Sequence, residues 1–188
     1  MPSGPTDVAK LAMNQHQTIL AIDAAWTASQ HSGVALVQQR GIRWRCIALA
    51  PSYGSFIETA TGIATDWSVS RFPGSEPDIP RLLEASERLA GRPVDLVTLD
   101  MPLAKTPLTT RRETDRFVSR ETGNRHCAAH SLTAMRPGPL GARISEALSM
   151  AGYELATKAT RSQDGHQFLE VYPHPALLSL LKRPKLVP

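Results

Sequence analysis

The chain has 188 residues, 41% of them hydrophobic and 20% charged, with a formal net charge of +4. That length suits one compact domain with its own core, and the composition excludes a disordered or fibrous chain. No apolar run approaches the roughly 20 residues a spanning helix needs, which excludes a helical membrane protein.

Residues 1–17 carry no period and no basic-then-apolar order, so they are expected to be a flexible leader rather than a signal peptide. Thr18–Asp23 (TILAID) is a short apolar run ending in an acid and reads as a buried strand. Gly33–Gln38 reads as a second strand. Ile42–Leu49 alternates Ile42, Trp44 and Cys46 against Arg43 and Arg45, the period of a half-exposed strand. The short turn at Gln39, Arg40 and Gly41 makes these two a hairpin. A helix broken by Gly62 is expected over 55–67, then a loop over 70–79 that carries Pro73, Gly74 and Pro77.

Ile79–Ala90 places Leu82, Leu83, Leu89 and Ala90 against Glu84, Glu87 and Arg88, an amphipathic helix that stops at Gly91. Val94–Asp100 (VDLVTLD) is a strand halted by Pro102. Thr110 and Glu113 have capping-box spacing, which starts a helix near Arg111 that runs to about Glu121. Residues 122–138 read as an ordered loop and Leu140–Ala151 as a helix ended by Gly152. Gln167–Tyr172 is a last strand, and Pro175 opens a helix over Ala176–Lys182. Three early strands followed by alternating strands and helices predict an α/β domain over 18–188. Its mixed sheet is flanked by helices, with a helical insert after the fourth strand.

Three acids share one address, the carboxyl end of a strand: Asp23, Asp100 and Glu170. Ligands gather there in open sheets. Three carboxylates would repel one another unless a cation sat among them, and oxygen-only donors favour Mg2+ or Mn2+. At least one of the three should then hold its proton more tightly than a free carboxylate, and Glu170→Gln should raise stability without metal. Independent capping or pairing with arginines is the alternative.

The charge is uneven. Residues 111–143 hold seven arginines against three acids, an excess equal to that of the whole chain. Such a field suits a polyanion or phosphorylated ligand, or else a solvated helix. Arg112 and Arg116 share one helix face and are candidate phosphate contacts. Asp115 is either a further catalytic acid or a partner for Arg111 or Arg112. His174 could shuttle a proton, ligate a metal or cap the last helix. Trp26 could stack on a base or cover the sheet edge. His126 and His130 would bind a metal only on a helix, and Ser131 beside His130 has no triad context. An aromatic content of 5% argues against a base-stacking nucleic-acid binder. Two cysteines, Cys46 and Cys127, make neither a disulfide framework nor a cysteine zinc site, and suit a reduced, cytoplasmic setting.

LAIDAAW, VTLDMPL, Arg112-x-x-Asp115-Arg116 and EVYPHPALL, in that order over 19–178, resemble the domain of unknown function 429 family of predicted RNase H-like nucleases. The resemblance implies an RNase H-like fold and a metal-dependent nuclease or other phosphoryl-transfer hydrolase, with nucleic acid or a phosphorylated small molecule as substrate. It matches Asp23, Asp100 and Glu170 to the family's acidic positions, which would ligate Mg2+ or Mn2+, with Asp23 bridging two cations. It matches Arg112, Asp115 and Arg116 to the helical motif. The chain departs from the pattern in having no acid after Glu170, and in stopping at Pro188 where the family tends to continue with a basic stretch. The first departure leaves open a non-catalytic phosphate- or nucleic-acid-binding protein, and the second a truncation. Actin-like kinases share the three-strand start but need a Gly-rich phosphate loop, which AIDAAWTASQHSG lacks.

Overall fold

The computed structural model describes residues 17–157, 160 and 165–185, so the expected leader lies outside them except for Gln17. Strands β1 (Thr18–Asp23), β2 (Gly33–Arg40) and β3 (Arg43–Ala50) form an antiparallel meander. Its second turn uses Gly41 at φ 62, a conformation glycine reaches without a Cβ clash. β1 then pairs in parallel with β4 (Leu96–Leu99), β4 with β6 (Gln167–Glu170), and β6 with β5 (Glu154–Leu155). The result is a six-stranded mixed sheet of order β3-β2-β1-β4-β6-β5. Chain direction around β1 reverses between β2 on one side and β4 on the other. The carboxyl ends of β1 and β4 therefore flank a switch point, where an open sheet leaves a crevice.

Among the described residues, five helices accompany the sheet: α1 (Tyr53–Thr59), α2 (Ile79–Ala90), α3 (Glu113–Thr122), α4 (Leu140–Met150) and α5 (Pro173–Leu180). Alternate residues of the central strands, Leu20, Ile22, Val97, Leu99 and Phe168, point to one face and are buried with Phe56, Leu82, Ile144 and Leu148. Each such side chain contributes about 1.5–3 kcal/mol through lost apolar contact with water. The opposite face is thinly covered: Ile19 and Ala21 are only half-buried, and Leu49 and Trp44 are exposed.

The expected α2 matches at both ends. Asp78 accepts the Arg81 N–H at its start, and Gly91 closes it at φ 71. Elsewhere tertiary context moved the boundaries. Ile42, Trp44 and Cys46 are all exposed, because none of the described residues packs on the outer half of the edge strand β3, and burial begins only at Ala48. The helix expected over 55–67 is α1, capped by Ser52, and it ends at Thr59 because exposure sets in from Thr61 and Gly62 turns the chain at φ 89. The start of α3 is held by Asp115, whose carboxylate accepts the Arg112 backbone N–H, and not by a capping box of Thr110 and Glu113. α5 starts at Pro173, two residues earlier than expected, so His174 lies in its first turn and Tyr172 is the cap. β5, two residues long, carries no period and went unforeseen.

Candidate functional site

Asp23 ends β1, and Asp100 follows β4 directly. The Asp100 N–H donates to Ile22 O at 2.9 Å, which extends the β1–β4 ladder and sets the two acids level on strands about 4.8 Å apart. Val171, and not Glu170, is the residue of the last strand at that level, since its N–H donates to Leu99 O at 2.9 Å and Glu170 pairs with Leu99. Glu170 thus stands one residue short of the other two acids. The two-residue pleat turns it toward the opposite face.

That half-step decides its partners. Glu170 accepts the Leu103 N–H at 3.0 Å and two bonds from the Arg112 guanidinium, at 2.6 and 2.5 Å. Arg112 also donates to both oxygens of Asp115, at 3.0 and 2.7 Å. The bonds to Glu170 lead the effects that hold the Arg112 guanidinium charged, well above its ordinary range. Burial pushes the Asp115 carboxyl up, but the hydrogen bonds and charge of Arg112, with help from Arg111, outweigh it and hold the group below the usual carboxylate range. Two carboxylates at the strand ends therefore stay clear of ion pairs among the described residues, and two are held by one arginine.

Asp23, Asp100, Asp115, Glu170, Arg112 and His174 all line one cavity of about 350 Å³. Arg116 does not line it and is exposed on α3. The cavity gains a cation that carried no motif, Arg136. The turn that presents it is closed by the Thr133 N–H on Arg136 O at 2.8 Å and by the Arg136 N–H on the Thr133 hydroxyl at 3.0 Å. In sequence Arg136 was one arginine among seven in the basic stretch. Five of those seven are tied within the fold. Arg111 donates to the Ser119 hydroxyl and Ala129 O, and Arg125 to Arg183 O and Pro184 O. Arg112, Arg120 and Arg143 form ion pairs.

Four carboxylates against two guanidiniums leave the cavity wall at a net −2 with its histidines neutral. Asp100 registers that field. Burial first, and the charge of Asp23 second, push its carboxyl up to about 6, with Glu170 adding to the rise and His174 opposing it. The rim is aromatic: Trp26 meets His130 edge-on at 5.6 Å, and Tyr172 lies 5.4 Å from His174. His126 and His130 share no helix; His126 sits at φ 63 just past a 3-10 turn over Gly123–Arg125. Among the described residues no group of three or more His, Cys, Asp or Glu side chains is placed to hold a metal ion. Asp23 and Asp100 remain as a pair of hard oxygen donors, and Mg2+ commonly takes only one or two carboxylates while keeping its waters. No helix among the described residues is long and apolar enough to cross a membrane. No family model, curated protein or solved structure matches the chain.

Proposed function

We propose that the chain is a metal-dependent phosphodiester hydrolase of RNase H-like fold, acting at the strand ends that carry Asp23 and Asp100. The observation that carries this reading is the level placement of two carboxylates, free of ion pairs among the described residues, on adjacent parallel strands inside a cavity of net negative charge. A wall of that sign repels phosphate until a cation is bound. The four ordered motifs that resemble the domain of unknown function 429 family support the same fold and chemistry.

Asp23 and Asp100 would hold one Mg2+ or Mn2+, which supplies Lewis-acid polarisation of a phosphoryl oxygen when bound. Glu170 is engaged by Arg112, so the donor set fits one such cation better than a bridged pair. Arg136 would draw the phosphate into the cavity and fix its orientation by a bidentate contact. Arg112 would act as a positioning residue that orders Glu170 and Asp115. His174, at the mouth, would hold the proton that the leaving oxygen takes.

A second reading, a phosphate- or nucleic-acid-binding protein without catalysis, is favoured by the engagement of Glu170 and Asp115 with Arg112. One experiment separates the two. Purified protein is incubated with a fluorescently quenched oligonucleotide and with bis-p-nitrophenyl phosphate, in EDTA, Mg2+ or Mn2+. Hydrolysis that needs the cation and is lost in Asp23→Asn and Asp100→Asn supports the hydrolase. Cation-dependent binding of the oligonucleotide with no turnover supports the second reading.

A further inference from the structure

We infer that the site takes an extended single-stranded nucleic acid laid across Asp23, with Arg136 holding a phosphate on one side and Arg71 on the other. This rests on the hydrolase reading above and adds to it the form of the substrate.

A second cavity, of about 380 Å³, lies beside the first and shares Asp23, Ala25 and Gln30 with it as wall. The remainder of its lining is Ser29, His31, Arg71 and Phe72. The shared residues set the two cavities side by side, with Asp23 at their junction. Each arm carries one exposed arginine, Arg136 in the first and Arg71 in the second, and neither forms an ion pair among the described residues. Each arm also carries aromatic rings. In the first, half-buried Trp26 meets His130 edge-on. In the second, Phe72 meets His31 at 6.2 Å and Trp67 at 6.4 Å, and Trp67 is 59% exposed.

Gly74 fixes the arms relative to each other. A Cβ built on it would lie 2.5 Å from the Ser29 carbonyl carbon and 2.6 Å from both Ala28 O and Gln30 N. Only glycine lets the segment bearing Arg71 and Phe72 seat directly on the turn that bears Gln30. The second arm is thereby packed backbone to backbone against the loop that leaves β1, and it is not a loose flap.

The chemistry of the two arms repeats: a guanidinium for a phosphate and a ring for a base. A single strand offers that repeat, with base faces free to stack on aromatic side chains. A duplex hides its base faces. A small phosphate ester fills one arm and gives Arg71 and Phe72 nothing to hold. The low aromatic content argued against base stacking, but four of the ten Phe, Trp and Tyr side chains, Trp26, Trp67, Phe72 and Tyr172, lie at these two cavities.

The test is fluorescence anisotropy in Mg2+ with a cleavage-resistant, phosphorothioate-linked oligothymidylate of about eight nucleotides, within the site sizes single-strand binders use. The comparison ligands are thymidine monophosphate as competitor and a blunt duplex of similar length. The proteins are wild type, Arg71→Ala, Arg136→Ala and Arg71→Lys. Both arginines are exposed, so unchanged thermal melting serves as the folding control. The expected result is single-strand binding weakened about fivefold or more by each alanine variant, with the salt slope lowered by about 0.7 per lost phosphate contact. Arg71→Lys should recover most of the affinity, and the monophosphate and the duplex should compete poorly. Wild-type affinity and salt slope in Arg71→Ala, or a monophosphate or duplex that binds as tightly as the strand, overturns the two-armed groove. Cleavage of an unmodified strand is read in parallel. Hydrolysis without any dependence on Arg71 removes the groove and leaves the hydrolase, whereas strand binding that needs both arginines without hydrolysis keeps the groove and removes the hydrolase.

Discussion

Arg112 serves two acids at once: its guanidinium spans both oxygens of Glu170 at the end of β6 and both oxygens of Asp115 in the first turn of α3. The contact closes one wall of the cavity across 58 residues of chain. Planar forked donors allow this, since one guanidinium edge faces each carboxylate.

Removing that cation leaves two part-buried carboxylates facing each other. Arg112→Ala is expected to cost about 1–3 kcal/mol, a range discounted for the solvent that reaches the pair. Arg112→Lys should recover less than half, because an ammonium cannot present a fork to two acids. Glu170→Gln should also lower stability in EDTA, by about 1 kcal/mol, since it weakens the bonds from Arg112 and Leu103. This reverses the gain expected from relieving a crowd of three acids. Urea denaturation in EDTA checks all three, and a more stable Glu170→Gln would contradict the finding.

Asp100 sets a pH dependence. Its carboxyl is raised from 3.8 to about 6 in the folded chain, so the folded state binds more protons than the unfolded state between those values. Its contribution is fully present below about pH 4 and is lost as pH rises through about 6. Asp100→Asn, which stays neutral, should therefore gain roughly 1–2 kcal/mol over wild type above pH 7 in EDTA, after discounting for the open cavity, and almost nothing near pH 4. Chemical denaturation across pH 4–8 gives the difference. A gain that is constant with pH would mean that the carboxylate carries no such strain.

Cation binding should appear in stability before it appears in activity. If Asp23 and Asp100 hold the ion, Mn2+ at a hundredfold excess over its dissociation constant should stabilise wild type by about 2.7 kcal/mol. Asp23→Asn should lose most of that gain while melting at or slightly above wild type in EDTA, since it removes the charge that strains Asp100. Thermal melts with EDTA and with Mn2+ decide it. Equal cation shifts in both proteins would place the ion elsewhere.

The cavity wall also depends on one close approach. A Cβ on Gly141, in the first turn of α4, would lie 2.3 Å from Pro102 O. Pro102 lines the cavity two residues past Asp100. Gly141→Ala must push α4 away from that strand exit, at about 1–3 kcal/mol. For a chain of this size, that is a fall of about 2–4 °C in Tm for each kcal/mol lost. The same variant should weaken cation binding, since the segment that carries Asp100 shifts with Pro102. Isothermal titration with Mn2+ reads the second effect.

Most of the fold was legible in the sequence. Apolar runs ending in acids marked β1 and β4, the 3.6-residue period and Gly91 marked α2, and Gly152 marked the end of α4. These are local signals, carried by neighbours along the chain. Asp23 and Asp100 could be placed at one sheet end because a strand that stops at an acid has a known carboxyl terminus. The sequence alone could not set the register of β6, which depends on long-range pairing with β4. A slip of one residue turns a side chain to the other face. That slip separates Glu170 from the other two acids and delivers it to Arg112. Burial on β3 was misread for a related reason, since an alternating edge strand is half-buried only where something packs on it. Arg71 gave no local signal, and Arg136 gave only its place among the seven arginines of the basic stretch. A lone arginine in a loop acquires a role only from what the tertiary structure brings beside it, here Asp23 with a cavity on either side.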